Sequence, residues 1–69
     1  MVLFTQVLFD TNGNKVASGT TDYATLDSAE QAFHTAMASA ISKQEYGKAI
    51  MFVFDSNGEI KFRRVWKRN

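Results

Sequence analysis

The stretch Val7-Leu-Phe-Asp-Thr-Asn-Gly13 recurs 45 positions later as Phe52-Val-Phe-Asp-Ser-Asn-Gly58. In each copy an apolar run leads into Asp-x-Asn-Gly, and a second strand-like run follows. The aspartate accepts hydrogen bonds from backbone N–H groups further along the turn, and the glycine takes the left-handed conformation that restores strand pairing. The two copies therefore predict two β-hairpins with three-residue loops, over residues 2–21 and 48–66.

Between the hairpins, apolar side chains recur at spacings of three and four residues, which places them on one face of a helix. They are Ala29, Ala32, Phe33, Ala36, Met37, Ala40 and Ile41. Thr25 or Asp27 can cap the start of this helix, and Gly47 is the expected stop. The predicted elements are strand 2–9, strand 15–21, helix 26–44, strand 48–54 and strand 60–66.

The composition of the strands favours one sheet order. Order 2-1-3-4 places the first and third strands in the centre, whereas the β-grasp-like order 2-1-4-3 places the first and fourth there. The first and third strands are the most apolar, while the Ser/Thr/Gly-rich second strand and the basic fourth suit edges. We expect one α+β domain over residues 1–69, with the ββαββ order and one helix on a four-stranded, mostly antiparallel sheet. Order 2-1-3-4 is preferred, and the grasp order is the alternative.

One helix covers only one face of a sheet, so the faces of the central strands must differ in role. Alternation in the third strand places Ile50, Phe52 and Phe54 on one face and Ala49, Met51 and Val53 on the other. The pairing expected from the turn sets Phe52 opposite Phe62, which favours that face as the core. Met51 and Val53 would then lie opposite basic residues of the fourth strand. Such a surface either binds a partner or is covered by the Arg and Lys stems.

Charge is distributed unevenly along the chain. Net charge is +1, but residues 1–60 hold three basic side chains against all seven acids, a balance of −4, and residues 61–69 carry +5. The segment Lys61-Phe-Arg-Arg-Val-Trp-Lys-Arg68 interleaves cations and aromatic rings, as nucleic-acid surfaces do. A protected edge strand with a basic tail over 67–69, or an arm that docks an acidic protein, explains the same residues. The candidate partner-binding residues are Lys61, Arg63, Arg64, Trp66, Lys67, Arg68, Met51 and Val53.

The predicted outer face of the helix is a second candidate interface because it is poor in charge and rich in small side chains. Another backbone can approach such a face closely, and depletion of charge is a feature of interface centres. Its residues are Gln31, His34, Thr35, Ala38 and Ser42.

Several function classes are disfavoured. The Asp-x-Asn-Gly turns have glycine at the fourth position and lack the bidentate Glu of a calcium loop. His34 is the only histidine and the chain has no cysteine, so zinc lacks a ligand set and no nucleophile–base pair is evident. We expect no enzymatic activity, no metal and no cofactor. The N-terminus lacks the basic region of a signal peptide, and no run approaches the ~18 apolar residues of a membrane span. The expected location is the cytoplasm, or the host-cell cytoplasm if a phage encodes the chain.

Two resemblances concern the arrangement of elements. Asn12-Gly-Asn-Lys-Val-Ala-Ser18, Tyr23 and Ser28-Ala-Glu30 resemble the ββα unit of small YegP-like bacterial proteins. The ββαββ order and Gly19-Thr-Thr are similar to streptococcal immunoglobulin-binding domains, although the helix face lacks the charged residues with which such a domain binds. These resemblances carry no function onto this chain.

The sequence favours a small non-enzymatic binding module that acts through a protein–protein interface, as an adaptor or inhibitor. Compact domains of this size are typical of phage-encoded and mobile-element inhibitors of host machinery. The alternative is a nucleic-acid-binding protein that uses the basic, aromatic fourth strand. A third hypothesis is a homo-oligomer, such as a homodimer, whose exposed sheet face is its own interface. No membrane partner is expected.

Overall fold

The computed structural model describes all 69 residues. The elements are β1 (Val2–Asp10), β2 (Lys15–Tyr23), α1 (Leu26–Ser42), β3 (Tyr46–Phe54) and β4 (Ile60–Lys67). The strands form one antiparallel sheet in the order β2-β1-β3-β4, and α1 packs on one side of it. The predicted α+β fold and the preferred strand order are confirmed, and the grasp order is not adopted.

The two repeated turns close in the same way. The Oδ1 atom of Asp10 accepts two hydrogen bonds from backbone N–H groups of its own turn at 2.9 Å, and Oδ1 of Asp55 does the same. Gly13 and Gly58 have φ angles of +89° and +82°, the left-handed region that glycine adopts without strain. Turn chemistry alone therefore fixes both hairpins, as the sequence predicts.

A bulge in the second hairpin sets which side chains of β4 share a face with the core residues of β3. Val53 pairs with Phe62, whereas the sequence predicts Phe52 as the partner of Phe62, and that prediction is wrong. Lys61 is the extra residue that shifts the register. A slip of one residue turns a strand's paired side chains to the opposite face. Phe62 therefore lies on the same side as Met51 and Val53, which are beneath α1 with 0% of each residue exposed.

The core fills the space between α1 and the side of the sheet that it covers. Phe33 of α1 packs edge-on against Phe4, with ring centroids 6.3 Å apart, and lies 6.1 Å from Phe62. The buried helix residues all come from the predicted apolar stripe. The full set of buried residues is Val2, Phe4, Ala29, Phe33, Met37, Ala40, Ala49, Met51 and Val53.

The ends of α1 agree with the sequence at one terminus and differ at the other. Thr25 is the cap at the start, where its Oγ1 accepts a hydrogen bond from the backbone N–H of Ser28 at 3.2 Å. The helix ends at Ser42 because Lys43 turns to an extended conformation. Gly47, the predicted stop, lies within β3. No helix in this structure has the length and apolar character needed to cross a membrane.

We expect stability to fall in acid because of the two turn aspartates. The backbone N–H of Asn14 lowers the pKa of Asp10 below its ordinary value of 3.8, and that of Glu59 does the same for Asp55, although partial desolvation opposes both shifts. Because the folded-state pKa is the lower one, the stabilisation is present above pH 3.8 and is lost as pH falls through the folded-state pKa. Urea unfolding from pH 6 to about pH 2 measures this loss.

Asp55→Asn keeps an acceptor oxygen in the turn but removes the titration, so its stability should depend less on pH over this range. Asp27→Asn, at an exposed carboxylate in the first turn of α1, is the control and should retain the wild-type slope. Equal slopes in wild type and Asp55→Asn would contradict the assignment.

Candidate functional site

The open face, the side of the sheet that α1 leaves uncovered, is the largest candidate site. The strand registers arrange its side chains in four rows, each running across β2, β1, β3 and β4 in that order. Row one is Asp22, Leu3, Phe54 and Ile60; row two is Thr20, Thr5, Phe52 and Arg63; row three is Ser18, Val7, Ile50 and Val65; row four is Lys15, Phe9, Lys48 and Lys67.

Half of the side chains on the open face are apolar, and the strand registers place them side by side on neighbouring strands. Ile60 and Val65 are 51% and 54% exposed on the edge strand. The central ones are half-buried because they flank one another, as shown by Phe52 and Phe54, whose rings stack with centroids 5.9 Å apart. Contiguous apolar patches that remain exposed to water are typical of binding surfaces.

Charges of opposite sign lie at the two ends of the open face. Row four carries three lysines, and Nζ of one of them, Lys48, lies 5.6 Å from the centre of the Phe9 ring. The other end has Asp22 in row one, and the β3–β4 turn places Asp55 and Glu59 immediately beyond that row. The open face is therefore apolar in the middle and polarised along its strands.

The basic fourth strand does not form one continuous surface. Alternation along β4 places Arg63 and Lys67 on the open face, and Arg64 and Trp66 on the side covered by α1. Lys61, in the bulge, lies 3.6 Å and 3.9 Å from carboxylate oxygens of the neighbouring turn. The predicted interleaving of cations and rings is thus divided between two faces.

Arg68 ties the end of the chain to the end of α1. Its Nε donates to the backbone carbonyl of Tyr46 at 2.8 Å, and its Nη2 donates to those of Ile41 and Lys43 at 3.1 Å and 2.9 Å. The guanidinium also lies 4.7 Å from the centre of the Trp66 ring. Carbonyls at a helix C-terminus lack partners within the helix and carry partial negative charge. Arg68, predicted as a partner-binding residue, acts here as a cap.

Met51 and Val53 were also predicted to contact a partner, and this prediction is wrong because both are fully buried under α1. By alternation along β3, Ile50 and Phe52 lie on the open face instead. The signal that could have found this face is Lys48, which shares it: a lysine two positions before Ile50 fits a solvent-facing row better than a core.

The predicted outer face of α1 is exposed in the structure. His34 Nε2 lies 3.4 Å from Glu30 Oε2 one turn earlier, and the His34 ring packs edge-on against Phe33. The Ser42 hydroxyl donates to the carbonyl of Ser39 at 2.9 Å. Several of its polar groups thus bond within the helix. The exposed residues of this face are Gln31, His34, Thr35, Ala38 and Ser42.

A shallow cleft of about 270 Å³ adjoins row four, between the first turn and the last residues of the chain. Its one acidic side chain, that of Asp10, accepts hydrogen bonds from its own turn. The lysines of the cleft therefore extend the positive end of the open face. The lining residues are Asp10, Thr11, Gly13, Gly47, Lys48, Lys67, Arg68 and Asn69. The structure contains no group of three or more His, Asp or Glu side chains placed to hold a metal ion.

We expect Arg68→Ala to lower the free energy of unfolding by about 1–3 kcal/mol, because it leaves helix-end carbonyls without a donor. Arg68→Lys should recover only part of the loss, since an ammonium cannot reproduce the planar fork. Urea unfolding followed by Trp66 fluorescence measures both. Lys67→Ala, at the exposed neighbouring position, is the control and should change stability by less than about 0.5 kcal/mol. Equal losses at the two positions would overturn the capping role.

Comparison with known proteins finds no matching protein family, no matching curated protein and no matching solved structure. The chemistry of the open face, the outer helix face and the fourth strand is therefore the basis for inferring what the chain does.

Proposed function

We propose that the chain is a small non-enzymatic binding module that binds a protein through its open face, in the manner of an adaptor or inhibitor. The observation that supports this is the block of apolar side chains in rows one to three, which no other element covers. Each Å² of apolar surface removed from water contributes roughly 25 cal/mol. An apolar centre with a charged rim is also the usual anatomy of a protein interface.

The chemistry of the centre favours a protein over a nucleic acid. Aliphatic side chains occupy most of rows one and three, and they pack against other apolar side chains but offer no ring on which a base can stack. Two cations of the fourth strand are already engaged, Lys61 with carboxylates and Arg68 with carbonyls. Fewer positive charges are then left to neutralise phosphates.

We expect Val65→Lys to weaken binding of the protein partner at least about tenfold, because it places a charge at the apolar centre of the open face. A photoreactive residue at position 65, used in the native host, would capture the partner, and titration of the purified pair would measure affinity. Val16→Lys is the matched control, since Val16 is also a valine, is 52% exposed and lies outside the four rows. If both variants bind equally, or if the partner cross-links only from α1, the open face is not the interface.

A second candidate function is binding of single-stranded nucleic acid, favoured by one observation. Phe52 and Phe54 present stacked rings on a four-stranded sheet, with Arg63 opposite Phe52. Exposed rings on such a sheet can stack bases while neighbouring cations neutralise phosphates.

We expect little retention on immobilised single-stranded DNA at about 0.15 M salt, where long-range attraction between exposed charges is screened. Tight retention that falls steeply with added salt would instead favour the second candidate. In that case Phe52→Ala should cost about 1–3 kcal/mol of binding free energy through lost stacking. Thr20→Ala, in the same row, should cost none.

A further inference from the structure

Building on the proposed function, we infer that the protein bound by the open face is a second copy of this chain. The two copies pack face to face about a two-fold axis that lies between the sheets and runs along the rows, across the strands. The inference stands on the placement of charge at the two ends of the open face.

Three of the four strands carry a lysine in row four and an acid at or next to row one. This polarity is repeated across the width of the sheet rather than confined to one edge. The lysine and the acid are Lys15 and Asp22 on β2, Lys48 on β3 with Asp55 in the turn after it, and Lys67 on β4 with Glu59 in the turn before it.

A two-fold axis along the rows brings the positive end of each open face over the negative end of the other. The rotation keeps each strand over its own copy and reverses direction along the strand, so row four of one copy lies over row one of the other. Row two then lies over row three, which sets Phe52 against Ile50 of the second copy. Lys15 faces Asp22 of the second copy, and the symmetry forms this pair twice. Face-to-face sheets cross at about 30°, an offset that lysine stems can span.

The other face-to-face orientation is electrostatically unfavourable. An axis along the strands would stack row four on row four and oppose three lysines to three lysines at short range. Lys15 and Asp22 form the pair whose charge reversal distinguishes the two orientations. Lys61 lies near Asp55 and Glu59, and the Met1 amine donates to Ser56 in the same turn. Asp22, in contrast, makes no ion pair within its own chain, which leaves it free for Lys15 of the second copy.

The area of the open face determines the dimer affinity that we expect. Four strands about 4.8 Å apart and about eight residues long present roughly 500 Å² per copy. Roughly 1,000 Å² in total is near the lower limit for a specific interface, so we expect a dimer that dissociates in the micromolar range. Sedimentation between about 5 and 500 μM spans that range.

The test uses the full chain and charge reversal at one pair. Asp22→Lys alone opposes two lysines at each end of the dimer, and Lys15→Asp alone opposes two acids. Each should weaken dimerisation at least about fivefold at low salt. An equimolar mixture of the two variants, and the double variant Lys15→Asp/Asp22→Lys, should both regain the wild-type mass, because each restores opposite charges. Unfolding curves check that every variant is folded.

Three outcomes would overturn the inference: a wild-type monomer at all concentrations, a dimer that Val65→Lys leaves intact, and single variants that the mixture does not rescue. A monomer that still binds another protein through Val65 would retain the proposed function and refute the second copy. A chain that neither dimerises nor binds any protein through Val65 would contradict both the proposed function and the inference of a second copy.

Discussion

A single 17-residue helix can shield only one side of a four-stranded sheet, and the rest of this structure depends on that limit. The covered side supplies all five buried strand residues, which pack with four helix residues into one core. The uncovered side is apolar across its central strands nonetheless. None of the five elements covers this side, and apolar surface that stays in contact with water is typical of binding surfaces.

One residue, Lys61, sets which side chains of β4 lie on the covered side. With Lys61 in a bulge, β4 brings Phe62 opposite Val53 and under the helix; without the bulge the alternation would run the other way. The first hairpin has a register shift at the equivalent place, between Leu8 and Phe9. The repeat seen in the sequence is thus a repeat of bulges as well as of turns.

The features that depend on local chemistry, namely the turns, the helix and the strand order, were predicted from the sequence. The features that depend on packing between elements were not. Asp-x-Asn-Gly predicts the turn in both places where it occurs in this chain, the three- and four-residue spacing predicts α1, and the preference for polar edge strands predicts the strand order. The bulge at Lys61 was not predicted, and its effect, Phe62 on the side that packs against α1, is visible only in the folded chain. The charge run of β4 misled for the same reason: a strand turns alternate residues to opposite faces, and only the folded chain shows that Arg68 meets the carbonyls at the end of α1.

On the open face, the apolar contribution to binding and the electrostatic contribution to orientation come from different side chains. Its apolar middle rows are much alike, so they would favour covering the face without strongly favouring one direction of approach. The charges at its ends differ in sign, so they distinguish orientations while adding little to affinity in water. A partner of the proposed interface would therefore have to match both features, an apolar surface of similar width and a reversed polarity along it. A second copy turned about an axis along the rows has both by symmetry, and it leaves each α1 on the outside with its charge-poor face still exposed.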